Sequence, residues 1–373
     1  MVAQLTTMGR SKRMRRVLIV YDQLDVPSTT VRALQFRELF ESHPDFEVQF
    51  SGRRSESMNR FMQRWPRRPA LWAPVQYADK KVIQRRESKI VELARDVDLV
   101  VMMTVPSWPL HQQLCDLPNT RVVTDLIDAL WLPCFQEYGW DHIHEMLTTS
   151  DAVICENQYT AQYTANYNDS VFIIPDAPQV EDFDQLRDEV GPDPTRVTIG
   201  WIGGSNTADA LYKIYEPLEE LFAKHNHLHL RLVGARADRL PRFGFTNFSV
   251  VQTYDQKRMV QEALSMDIGI FPLFHVDESL YRGTLKTRIY MAAELAVIGQ
   301  CFGENSELIQ HGQNGLLAAS DDQWRDALES LIEDKDLRRR LASGGLQTIR
   351  EQYTRQHCFE KLVVCLNEVL ART

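Results

Sequence analysis

The chain has 373 residues, 44% hydrophobic and 25% charged, with a formal net charge of −9. This is the make-up of a soluble globular protein long enough for two ordinary domains, and it excludes a disordered chain. No run of about 18 apolar residues is present, which excludes a membrane-spanning helix, and the acidic balance disfavours a general nucleic-acid binder.

The polar, basic start (Arg10, Lys12, Arg13, Arg15, Arg16) has no apolar core ahead of a cleavage site, so a short tail is expected rather than a secretory signal. The first β-branched run, 16–21, reads as a strand. Val31, Leu34, Phe36, Leu39 and Phe40 follow at helical spacing, and 46–50 reads as a second strand. That β-loop-α-β opening begins a parallel, helix-covered sheet. From Arg53 to Lys89 the chain is rich in Arg and Lys, with Trp65, Leu71, Trp72 and Tyr77 interleaved. Two readings stay open there: a surface meeting anionic lipid headgroups, or a solvated helical face with its Trp side chains in the core. Apolar runs at 98–104, 121–125, 152–155 and 171–174 continue the strands, as in a sheet buried on both faces.

A break rich in Pro, Gly and acids predicts a linker over 181–195, after a first domain spanning 1–180. The βα rhythm then restarts. Strands are predicted at 197–202, 229–233, 268–271 and 296–298, helices at 208–225 and 256–265, and two or three amphipathic helices over 322–371. The expected architecture is α/β: two doubly wound, Rossmann-like domains facing each other across a cleft. The second spans 196–350, and a terminal helix over 351–373 crosses back to the first. Ligands of open α/β sheets bind at the strands' carboxyl ends.

Three groups of residues stand out. The loop 200–207 leaves a strand with Gly203 and Gly204, which can admit φ > 0 and let N–H groups approach an anion, or can simply serve a tight turn. It matches neither a Walker loop nor the dinucleotide fingerprint. Arg282 and Lys286 flank Thr284, a candidate N-cap. They suit a diphosphate at a helix start, or are ordinary exposed basics. Asp125 and Asp128 follow a strand, where they can bond sugar hydroxyls, accept a proton, or cap the next helix. Glu156 and Asn157 end another strand and can reach the same cleft. His142 and His144 are spaced poorly for a metal pair, and the six scattered cysteines form no Cys-x-x-Cys, so no metal or disulfide framework is expected. Reduced thiols fit a cytoplasmic protein.

The stretch Lys286-Thr-Arg-Ile-Tyr-Met-Ala-Ala-Glu-Leu-Ala-Val-Ile298 resembles the donor-site block of family 4 (group 1) glycosyltransferases of the GT-B fold. So do Thr198-Ile-Gly-Trp-Ile-Gly-Gly204, Asp267-Ile-Gly-Ile-Phe-Pro-Leu273 and Glu307-Leu-Ile-x-x-Gly-x-Asn-Gly315. The resemblance implies transfer of a sugar from a nucleotide-sugar to a glycan, lipid-linked or small-molecule acceptor, with retention and without a metal or other cofactor. It places Gly203, Gly204, Ser205, Arg282 and Lys286 at the diphosphate, Tyr254 beside the base, and Glu307 in the closing segment. The chain departs from the family pattern where a ribose-binding glutamate is usual, at Ile289. It departs again at Tyr281, the partner position eight residues earlier, and at Glu294 and Ala296, the usual glycine and proline. Two readings follow: an active transferase, cytoplasmic with peripheral contact to the inner membrane face, or a catalytically silent GT-B protein that binds a sugar or a partner.

Overall fold

The computed structural model describes residues 13–24, 27–64, 69–135, 139–274 and 276–372, with the backbone alone for 27, 62–64, 69–71, 205 and 206. Two six-stranded parallel sheets form its centre. The first holds β1 (Arg15–Tyr21), β2 (Phe46–Gly52), β3 (Leu99–Met103), β4 (Arg121–Leu126), β5 (Ala152–Cys155) and β6 (Val171–Ile173), in the order β2-β1-β3-β4-β5-β6. The second holds β7 (Val197–Ile202), β8 (Leu228–Val233), β9 (Phe248–Val251), β10 (Ile268–Phe271), β11 (Ala296–Gln300) and β12 (Leu316–Ala318), in the order β12-β11-β10-β7-β8-β9. Every residue of β3 and β7 is buried, because helices cover both faces of each sheet. In each sheet the winding reverses, between β1 and β3 and between β7 and β10. These are the switch points where a crevice opens at the carboxyl ends.

The elements differ from expectation at several places. β9 and β12 were not anticipated, although β6, equally short, was. The helix expected over 208–225 is a 3₁₀ helix, Ser205–Ile214, followed by an α-helix, Tyr215–Lys224. Pro217 explains the restart, since its ring excludes an uninterrupted α-helix through it but is tolerated in a first turn. The stretch expected as a linker begins with a helix, Val180–Leu186, whose Phe183 is fully buried in the core of the second domain. In the basic stretch, helices Glu56–Arg64 and Pro69–Ala94 form. Trp72 is half-buried and Tyr77 is 65% exposed, while Trp65, Arg67 and Arg68 lie outside the described residues.

The final helix, Arg355–Ala371, packs on the first sheet although it follows the second domain. Phe359 meets Phe40 edge-on with ring centroids 4.8 Å apart, and Arg15 Nη1 donates to Asn367 Oδ1 at 2.5 Å. The second domain is thereby tied to the first at both its ends. Within it, helix Leu285–Ala292 is drawn tight against the sheet. The Tyr290 ring occupies the space a Cβ at Gly269 would take, 2.4 Å away, and its hydroxyl accepts from Ile202 N–H at 2.7 Å. That bond sets the start of the helix beside the end of β7.

Candidate functional site

A cleft of about 450 Å³ opens between the carboxyl ends of the two sheets, within the range of small-ligand sites. Gly203, Gly204, Tyr254, Lys286 and Ile289 line it from the second domain, Leu24 and Val31 from the first. Its floor is the loop after β7. Neither Gly203 nor Gly204 adopts a positive φ. Gly203 is required because the Trp201 ring would lie 2.3 Å from an added Cβ, and its N–H is engaged by Val233 O at 3.0 Å. Gly204 has open space where a Cβ would be, so its backbone can be approached closely. The positive-φ glycine is Gly234, φ 83°, where an added Cβ would come 1.9 Å from Gly203 O. The Ser205 side chain lies outside the described residues. Tyr254 stands at the rim with its hydroxyl 3.5 Å from Gly203 O, and Ile289 forms an apolar wall that cannot accept a hydrogen bond.

Helix Leu285–Ala292 points its start into this region. Thr284 is the N-cap residue but makes no side-chain cap bond. Its N–H and Oγ1 donate instead to Glu304 Oε2, at 2.8 and 3.0 Å. Helical geometry leaves the N–H groups of Leu285, Lys286 and Thr287 without intrahelical acceptors. Lys286 Nζ lies 5.6 Å from the centroid of the Phe271 ring. Among the described residues, neither Arg282 nor Lys286 has a hydrogen bond or an ion pair.

The neighbouring buried cations are paired with carboxylates, although Arg288 Nε has no hydrogen-bond partner among the described residues. Arg32, 4% exposed, grips both oxygens of Asp125 and reaches Asp176 Oδ1 at 3.0 Å and Ile174 O at 2.6 Å. Arg288, 0% exposed, donates to Asp176 O at 3.2 Å and pairs with Glu304, with its guanidinium 4.8 Å over the Tyr353 ring. A relay, Asp125–Arg32–Asp176–Arg288–Glu304–Thr284, thus crosses from the first sheet to the start of the 285–292 helix. Asp125 therefore anchors Arg32 and is not placed to meet a substrate.

Asp128 is half-buried and unpaired. Desolvation pushes its carboxyl up to about 6, against the pull of Arg282 and Lys286. Burial and the Arg282 charge lower the Lys286 ammonium, which Asp128 and Glu156 partly offset. Glu156, 4% exposed at the end of β5, is held well above the carboxylate range by burial and by Asp176 and Glu304. Its Oε1 lies 1.5 Å from where a Cβ at Gly283 would be, so only glycine lets the 281–284 loop approach. Beside it Asn157 Nδ2 donates to Tyr281 O at 2.8 Å, and the Tyr281 ring meets Trp131 edge-on at 5.0 Å. Tyr281 thus docks on the first domain.

Glu307 is exposed on the short helix Asn305–Leu308, near Tyr159 of the first domain, and does not line the cleft. Glu294 has φ 61°, unusual for a residue with a side chain, and pairs with Arg187 at 3.0 Å. Among the described residues, the one metal-like constellation, His225 with Glu329 and Glu333, sits at the amino-terminal edge of the second sheet, opposite the cleft. Sequence reasoning passed over Arg32, Asp176, Arg288 and Glu304. Arg288 and Arg32 stand inside apolar-periodic helices, which was the one available signal of burial and hence of partners.

Residues 196–334 match the family model described as Glycosyl transferases group 1. No curated protein matches the chain. Solved structures resemble it in fold at low identity. HepE of Anabaena, in complex with UDP and glucose, is 12% identical over 95% of this chain and 100% of its own, with a TM-score of 0.71. A glycosyltransferase from Rickettsia africae is 13% identical over 96% and 100%, at 0.70. Sucrose-phosphate synthase from Thermosynechococcus elongatus is 13% identical over 96% and 100%, at 0.69. No helix among the described residues is long and apolar enough to cross a membrane. With both parallel sheets in the GT-B arrangement, this chain has the GT-B fold, and its second domain carries a stretch, residues 196–334, that matches the pattern of the group 1 glycosyl transferases.

Proposed function

We propose that the chain transfers a sugar from a nucleotide-sugar donor to a glycan, lipid-linked or small-molecule acceptor, with retention and without a metal. One observation carries the reading: among the described residues, Arg282 and Lys286 have no counter-charge within bonding distance, at a helix start that borders the same cleft as Gly204, while Arg32 and Arg288 beside them are paired with carboxylates. Two free cations, a helix start with unbonded N–H groups and an open glycine backbone suit a diphosphate. The charge that develops on the departing diphosphate would fall on Arg282 and Lys286, which stabilise the transition state more than the ground state. Asp128, with its carboxyl near 6 and facing the same cations, is matched to take the acceptor's hydroxyl proton at neutral pH. Tyr254 would lie beside the base. UDP bound to HepE supports a nucleoside diphosphate as the leaving group.

A cytoplasmic place with peripheral contact to an anionic membrane belongs to the same proposal. Tyr77, Lys80, Lys81, Arg85 and Lys89 lie exposed on helix Pro69–Ala94. Sedimentation with anionic against neutral vesicles checks this part separately.

Titration calorimetry with UDP, GDP and ADP tests the main reading. A saturable signal with one of them, lost in Lys286→Ala, is expected; silence with all three overturns it. Ile289 and the docked Tyr281 favour a second reading, a catalytically silent binder. Donor turnover separates the two: tight nucleotide binding with no hydrolysis or transfer would select the silent protein.

A further inference from the structure

A second, smaller cavity of about 280 Å³ lies at the carboxyl ends of β1 and β2, lined by Tyr21, Arg54, Ser57, Arg60 and Arg86. It shares Leu24 with the interdomain cleft, so the two spaces adjoin. Its three arginines are not equivalent. Arg54 is held by Asp22 at 3.1 Å and Asp79 at 3.3 Å. Arg60 reaches only Glu56, at 3.9 Å, and both side chains are exposed. Arg86 has no carboxylate partner among the described residues. Its Nε donates to Gly52 O at 2.8 Å, which fixes the stem and leaves both terminal nitrogens without an acceptor among the described residues.

Tyr21 completes the wall. Its ring packs against Gly52, where an added Cβ would meet it at 2.8 Å, and its hydroxyl has no partner among the described residues. Burial raises the phenol above its usual range, so it stays a neutral donor. Ser55 and Ser57, their hydroxyls 2.9 Å apart, supply further donors. Guanidinium forks left free, one phenol and two serine hydroxyls around a small space form the donor set that a tetrahedral oxyanion needs. Among the described residues, Glu56 is the only carboxylate in the lining, and it is exposed.

We propose that this cavity binds a phosphate group, monoester or diester, carried by the acceptor. The word acceptor rests on the transferase reading above; the anion site itself does not. Because Leu24 lines both spaces, a phosphate held here would place the rest of its molecule toward the mouth of the donor cleft.

The test uses the full chain and three probes: inorganic phosphate and glucose 6-phosphate, each titrated against glucose as the uncharged control, and phosphatidylcholine vesicles with and without phosphatidic acid. Saturable binding of a phosphate probe and none of glucose is expected. The soluble and vesicle arms tell a free sugar phosphate from a lipid-anchored one. Arg86→Gln and Ser57→Asp should each weaken phosphate binding about tenfold or more and leave the UDP titration within about twofold. Ser57 is exposed, so its variant keeps the test alive if Arg86→Gln does not fold. The proposal is overturned if the wild-type chain binds no phosphate probe, if both variants bind as the wild type does, or if UDP affinity falls in parallel. Phosphate binding lost in the variants, in a chain deaf to every nucleoside diphosphate, would sustain this site and sink the transferase reading.

Discussion

The seam between the domains and the cleft beside it are built from the same residue types and do opposite work. In the seam, Arg32 and Arg288 are buried with every charge answered: Asp125, Asp176 and Glu304 surround them. A few residues away, Arg282 and Lys286 stand beside half-buried Asp128 with no bond to it. A buried ion pair contributes little net stability, but breaking one leaves a bare charge in low dielectric and is costly. The seam therefore specifies how the domains meet. The cleft leaves Arg282 and Lys286 without a bonded carboxylate among the described residues, their charge only partly offset by Asp128 and Glu156, and this is the charge the proposed diphosphate would meet.

Removing charge from each region should separate them. Arg288→Ala strands Glu304 inside the seam and should cost about 3–5 kcal/mol of stability, read by denaturant unfolding; a loss under about 1 kcal/mol would deny the seam its role. Lys286→Ala should barely move the unfolding midpoint and should raise the transfer barrier by roughly 2–4 kcal/mol, read as kcat/KM for the donor. Unchanged turnover would break the contrast at its other end.

Ile289→Glu probes the cleft wall. A carboxylate there should tighten the ribonucleoside diphosphate by about tenfold and discriminate against its 2′-deoxy analogue, whereas the native chain should bind the two alike. Calorimetry with both nucleotides decides this, and a native preference for the ribose form would show that another group reads the diol.

Smaller is the effect of pH through Asp128. Its carboxyl rises from 3.8 to about 6 in the folded chain, so the proton is held more tightly folded than unfolded. The group's contribution to stability is present below the unfolded value and is lost as pH rises through about 6. Above that pH the carboxylate also offsets Arg282 and Lys286. Diphosphate affinity should fall by a factor of about three or more across the window, and Asp128→Asn should flatten the profile; comparison of the two chains removes the ligand's own ionisation. Smallest of all, Glu294→Gly relieves a left-handed backbone but forfeits the Arg187 pair, so the midpoint should shift by less than about 1 kcal/mol equivalent.

Much of the scaffold was legible because its physics is local. The runs at 152–155 and 268–271 coincide with β5 and β10, since a strand buried on both faces must be apolar throughout. β9 and β12 were not read from the sequence, and shortness alone does not explain it, since the three-residue edge strand β6 was. Of the two readings left open for Gly203, the positive φ is not seen; the glycine makes room for Trp201, a contact that spacing cannot reveal. Asp125 and Asp128 looked equivalent, three residues apart after one strand. Arg32, ninety-three positions before Asp125, made them different.

From sequence alone came the two parallel α/β domains, the helix that starts near Thr284, and the likeness of its residues to a donor site. All of these are written in periodicity, glycine placement and local spacing. Only the tertiary structure decided which charges are answered and which are free. Desolvation and ion pairing depend on neighbours brought from the far ends of the chain, as Asp176 and Glu304 are brought to Arg288 while no acid is brought to bond Arg282 or Lys286.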